Sequence, residues 1–128
     1  MSVHFVLPFK LENLANKREH WGARARRAKL QRDGAHILTH EALHHERLAW
    51  NKDGRLRIDI VRVGKKMMDT DGLTISAKHI RDGIADELAV DDGDPRLIWT
   101  YGQRIGKQYG VEITIGVVRL VADQEGKP

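Results

Sequence analysis

Between Arg55 and Val63 the chain alternates, with Leu56, Ile58 and Ile60 set against Arg57 and Asp59. Successive side chains of a strand point to opposite faces, so this period of two predicts a half-buried strand. "VHFVLPF" near the amino end predicts a first strand closed by Pro8, which cannot donate to a sheet ladder. From His20 to about Trp50, Trp21, Ala25, Ala28, Ala35, Leu38, Ala42 and Ala49 recur every three or four residues, a helical spacing. Asn16 is a candidate cap ahead of it. "DGAH", Asp33 to His36, allows a break into two helices, because glycine inside a helix costs about 1 kcal/mol. Asp53-Gly54 marks a turn. "GKKMM" reads as extended chain leading into an aspartate pair, Asp69 and Asp71. Leu73, Ala77, Ile80, Ile84 and Leu88 then form a one-sided helical stripe, which Gly83 weakens. "DDGDP" is a polar loop, and "RLIWTY" and "VEITIGVV" read as strands joined by a long basic hairpin loop, "GQRIGKQYG". The order β-α-β-α-β-β predicts one α+β domain over residues 1–128, a mixed sheet packed by helices.

Composition narrows the setting. The chain has 128 residues, 41% of them apolar and 31% charged, enough for one core. No apolar run approaches the roughly 20 residues that span a bilayer, and "MSVHFVLPFK" is too short and wrongly flanked for a secretory signal. Cysteine is absent, which excludes disulfides and thiolate zinc sites and fits a cytoplasmic location. The net charge is +4 and unevenly spread. Lys17, Arg18, Arg24, Arg26, Arg27, Lys29 and Arg32 stand against Glu19, whereas Asp82, Asp86, Glu87, Asp91, Asp92 and Asp94 crowd one later segment. A basic flank and an acidic focus suggest polyanion binding beside a cation site.

The aspartate pair has two readings. On extended chain, Asp69 and Asp71 project to one side, and Lys78 follows two helical turns after Asp71 on a similar azimuth. If the helix folds back, Asp91 and Asp92 return toward the pair. Convergent carboxylates are hard ligands suited to Mg²⁺ or Mn²⁺, ions that activate water against a phosphodiester, and a lysine nearby would orient that water. The other reading is ordinary capping, since aspartate satisfies helix amino termini. A separate stretch, "HEALH", matches the H-E-x-x-H zinc signature with His40, Glu41 and His44. There His36, His40 and His44 fall in one i, i+4 row with His45 and Glu46 adjoining, which reads as a polar helix face. Trp21, Trp50 and Trp99 are candidates for base stacking or for packing in a core or interface.

"MDTDGLTISAKHIRDGIADELAVDDGDPRLIW" resembles the core of the RusA-type Holliday-junction resolvase family, with its Asp-x-Asp, following helix and acidic "DD" loop. "LPFKLENLANKREHWGARARRAKLQR" resembles the family's amino-terminal strand and basic helix. The resemblance implies metal-binding carboxylates at Asp69, Asp71 and Asp92, with Asp91 as a lesser partner, and a catalytic lysine at Lys78. It implies a Mg²⁺- or Mn²⁺-dependent homodimer that nicks four-way DNA junctions in pairs, for which a two-fold axis suits the symmetry. Arg18, Arg24, Arg26, Arg27, Lys29, Lys65, Lys66, Arg104 and Lys107 would then meet phosphates. Two departures stand out: Gly72 where the family usually has asparagine, and Lys78 displaced as though three residues were inserted. They support an alternative, a non-catalytic DNA-binding protein of the same fold.

Overall fold

The structure is a computed structural model and describes residues 2–12 and 20–118. Its elements are β1 (Ser2–Leu7), α1 (Trp21–His45), β2 (Arg55–Gly64), α2 (Thr70–Ser76), α3 (Lys78–Leu88), β3 (Leu97–Ile105) and β4 (Gly110–Val118). They make an α+β unit around a mixed four-stranded sheet in the order β1-β4-β2-β3. β2 and β3 are parallel, and β4 is antiparallel to both β1 and β2.

The strand alternation becomes a set of rows on one face of the sheet. Val3, Leu7, Ile113, Ile115, Leu56, Ile58, Ile60 and Leu97 are buried there, with Trp99 and Tyr101 packed at their margin. The opposite face mixes Val6, Val61, Val63 and Ile98 with paired polar groups: Arg57 and Thr100 hydrogen-bond Asp59, His4 meets Thr114, and Arg104 meets Glu112.

Four expectations are corrected. First, α1 is one helix through Asp33–His36. Gly34 lies against Phe9, where an added Cβ would come 2.5 Å from the ring, so this glycine serves close packing and leaves the helix unbroken. Second, the 73–88 stripe is divided at Ala77, a fully buried residue at φ −91° and ψ 0° between α2 and α3. Third, β3 and β4 are not a hairpin. They flank β2 on opposite sides, and their connection crosses the end of β2, where Gly106 N donates to Gly64 O at 3.0 Å. The strongly apolar β2 takes an interior place in the sheet. Fourth, β2 ends at Gly64, so "GKKMM" is not a strand continuation. Asn16 lies outside the described residues; His20 caps α1, its Nδ1 accepting from Gly22 N at 3.1 Å.

α1 buries a narrow stripe of Gln31, Ala35 and Thr39. Ala35, opposite Gly83, lets α3 approach closely, and Arg32 secures the crossing with two hydrogen bonds to Asp86, at 2.7 and 2.9 Å. α3 ends at Ala89 in the left-handed region (φ 58°), with Val90 N returning to Ala85 O. Half-buried His79 sits near Asp82, Lys78, Arg27 and Arg32, and burial, aided by the three cations, lowers its pKa below the ordinary 6.5 despite Asp82. The unfolded chain therefore binds the proton more readily, so stability falls as pH drops through 6.5 and levels off below the folded pKa. Denaturant titrations at pH 7.5 and 5.5 should show a smaller loss for His79→Gln than for the parent.

Candidate active site

The buried row of β2 does not stop at Ile60. The next position on that face, Arg62, is only 7% exposed, and Gln103 of β3 stands beside it in register. Arg62 Nε donates to Leu11 O at 3.1 Å, and Nη1 donates to Lys66 O at 2.7 Å and to Gln103 Oε1 at 3.4 Å. Gln103 then grips the backbone of Met68 from both sides, accepting from its N–H at 3.0 Å and donating to its carbonyl at 2.6 Å. This network curls residues 65–68 across the carboxyl ends of the parallel pair, the place where open α/β sheets commonly bind ligands. It also explains why the chain is not extended there.

Asp69 follows directly and caps α2, its Oδ1 accepting from Gly72 N at 2.6 Å. Asp71 lies in the first turn of α2 and is exposed. The expectation that the two project from extended chain is therefore corrected: they share a helix amino terminus, where partial positive charge favours carboxylates. Gly72 is buried beneath this turn and donates the capping bond. Among the described residues neither aspartate has a salt-bridge partner. Lys78 does not supply one, for it opens α3 and turns to Asp82 at 3.5 Å. Its predicted azimuth over Asp71 assumed one continuous helix.

The third expected carboxylate is anchored separately. Arg81 Nε donates to Asp92 Oδ2 at 2.8 Å and Nη2 to the Asp92 carbonyl at 3.0 Å. Nη1 donates to Tyr101 Oη at 2.9 Å, while the guanidinium lies 4.7 Å from the Trp99 ring centre. Trp99 Nε1 adds a bond to the same carbonyl at 2.8 Å. Burial opposes the charge on Arg81, but the Tyr101 and Asp92 contacts outweigh it and raise its pKa. Trp99, Tyr101 and Gln103 alternate along β3, so the tethers of Asp92 and Met68 share one strand face within about 13 Å. Asp91 shapes the loop, its Oδ1 accepting from Gly93 N at 3.2 Å. Arg96 stabilises the next turn and, by hydrogen bonding, holds Asp94 down to about 2.

Among the described residues no group of three or more His, Asp or Glu side chains stands ready to hold a metal ion. The "HEALH" histidines are engaged otherwise: His40 Nδ1 lies 2.8 Å from Glu87 Oε2, His36 Nε2 lies 3.2 Å from its other oxygen, and His44 stacks on His40. Glu41 faces a groove beside β1.

Most of the acidic segment is neutralised within the fold, since Asp82, Asp86, Asp92 and Asp94 all have cationic partners. Of the expected DNA-binding bases, Arg18 lies outside the described residues. Arg24, Arg26, Lys29, Lys65, Lys66 and Lys107 are exposed, while Arg27 is half-buried. Lys29 pairs with Asp33, and Arg104 with Glu112. Trp21 is exposed, and Trp50 donates to Gly54 O at 2.9 Å beneath Arg96.

Fold and site together define a two-layer α+β domain with an acidic, helix-capped site at the ends of two parallel strands. No protein-family model matches the chain, and no curated protein matches it. Among the described residues no helix is long and apolar enough to cross a membrane.

Proposed function

We propose that the protein is a Mg²⁺- or Mn²⁺-dependent endonuclease of branched DNA, of the RusA-type resolvase family, acting as a cytoplasmic homodimer. The observation that carries this reading is the Asp69–Asp71 pair. It has no cationic partner among the described residues, and it is moored to the strand face that also tethers Asp92. Both carboxylates are exposed at the start of α2, and a hard divalent cation bound there would be favoured by their oxygen donors and their charge.

The donor chemistry fits such an ion, because the three side chains supply oxygen alone and Asp69 commits one oxygen to capping. Asp69 and Asp71 sit at the start of α2, and Arg81 would have to release Asp92 for all three to meet one ion. A bound ion would lower the pKa of water and draw charge from a scissile phosphate. The chain's own part is to hold Asp69 and Asp71 in place through Gln103 and Arg62, and to bring phosphates in on Lys65, Lys66 and the exposed bases of α1. Lys78, paired weakly at an exposed site, is free in energetic terms to leave Asp82 for substrate.

Nicking of a synthetic four-way junction tests the proposal, with the parent cutting in Mg²⁺ or Mn²⁺ and Asp71→Asn binding without cutting. A second reading, DNA binding without catalysis, is favoured by the absence of a ready three-donor group among the described residues. It predicts equal binding by both proteins and no cutting at any concentration of either ion.

A further inference from the structure

A second cluster lies at the same end of the sheet, outside the chemistry above. Tyr109, in the connection that crosses from β3 to β4, is 37% exposed. Two ammonium groups lie near its ring, Lys10 Nζ 4.5 Å and Lys65 Nζ 5.8 Å from the ring centre. Lys65, Ile105, Gly106 and Lys107 line a shallow recess of about 560 Å³ alongside. Ile105 and Met67 present apolar side chains to solvent, at 57% and 58% exposure. Lys10 has a half-buried partner, Glu12, at 3.5 Å, whereas Lys65 and Lys107 have no carboxylate partner among the described residues.

Like charges gathered at a free surface repel, and an exposed cation–ring contact is worth too little to explain two of them. An aromatic face edged by cations and apolar side chains matches the two surfaces of a nucleic-acid strand, since bases stack on rings while ammonium groups track phosphates. The position agrees: Lys65 precedes Asp69 by four residues, which limits the separation of their Cα atoms to about 14 Å. A membrane surface or an acidic peptide would use the lysines without needing the ring.

We propose that Tyr109, flanked by Lys10 and Lys65, is a stacking platform for an unstacked base of the DNA strand that enters the acidic site. This rests on the DNA reading above and adds a residue that contacts a base.

The test is equilibrium binding, without divalent cations, of a labelled four-way junction carrying 2-aminopurine at the crossover. Tyr109→Ala should weaken binding about tenfold and abolish quenching of the 2-aminopurine, while Tyr109→Phe should leave both unchanged. Replacing Lys10 and Lys65 together by glutamine should flatten the slope of log affinity against log salt by about 1.4. Should Tyr109→Ala lose its fold by circular dichroism, Tyr109→Leu, which keeps apolar bulk without a ring, gives the same comparison. Parent-like affinity and quenching in the ringless variant, alongside intact junction cutting by the parent, would overturn the platform and leave the proposed function standing. Junction binding with the expected Tyr109 losses but no cutting supports the platform and removes the nuclease. No binding of any DNA form overturns both. Polyglutamate binding as tight as DNA binding overturns the platform in favour of an acidic protein partner.

Discussion

Gly83→Ala is expected to destabilise the fold by about 3 kcal/mol, although alanine is the better helix former by about 1 kcal/mol. Gly83 sits where α3 crosses α1. A Cβ built there would lie 2.2 Å from the Arg32 carbonyl oxygen, 2.8 Å from Ala35 Cβ and 3.0 Å from the His36 nitrogen. The first and last of these are backbone atoms of a continuous helix, which cannot rotate aside as a side chain would. The helices would have to part, opening the core around Ala35, Ile80 and Ile84 and stretching the Arg32–Asp86 bonds. Gly54→Ala is the control, since nothing lies within 4 Å of its added Cβ, and its effect should stay within about 0.5 kcal/mol. Urea titration of both variants gives the comparison. A Gly83→Ala midpoint at or above the parent's would show that the crossing is looser than described.

Asp71→Asn should lower the junction-nicking rate by a factor on the order of 10³ or more, with binding retained. The side chain is exposed and has no protein partner among the described residues, so the amide disturbs little packing. Losing its charge at the start of α2 should cost about 0.5 kcal/mol. A loss of cutting without loss of fold or affinity would therefore report ligation. Cutting by Asp71→Asn at a parental rate would remove this aspartate from the chemistry.

Where one local pattern decided the structure, the sequence was legible. Leu56, Ile58 and Ile60 alternate and form a strand; Pro8 ends β1 on cue; Ile80, Ile84 and Leu88 face the core as their spacing predicts. Patterns whose meaning depends on a distant partner were not. Gly34 and Gly83 look like helix breakers until Phe9 and Arg32 are placed against them. The last two strands look like a hairpin because they follow one another in sequence, but β2, with Leu56, Ile58 and Ile60 buried, comes between them.

The same division holds at the site. Asp69, Asp71 and Asp92 stand out by type and spacing, yet the residues that place them were missed. Gln103 falls in the stretch that reads as a hairpin loop, and Arg62 is assigned no role from sequence, although it continues the period of two from Leu56 along a buried row, which was the available signal. Arg81 lay inside a recognised stretch, but its choice of Asp92, Tyr101 and Trp99 depends on the loop folding back over α3. The acidic segment looks unopposed in sequence because its cations lie just outside it or on another element: Lys78 and Arg81 at the start of α3, Arg96 two residues past Asp94, and Arg32 on α1.

A crystal soaked in Mn²⁺, with diffraction recorded at the manganese absorption edge, addresses the central claim directly. The account predicts one anomalous peak with carboxylate oxygens of Asp69, Asp71 and Asp92 about 2.1 Å away, and Arg81 turned off Asp92. No peak at the start of α2 under saturating Mn²⁺, with Arg81 still bound to Asp92, would contradict it.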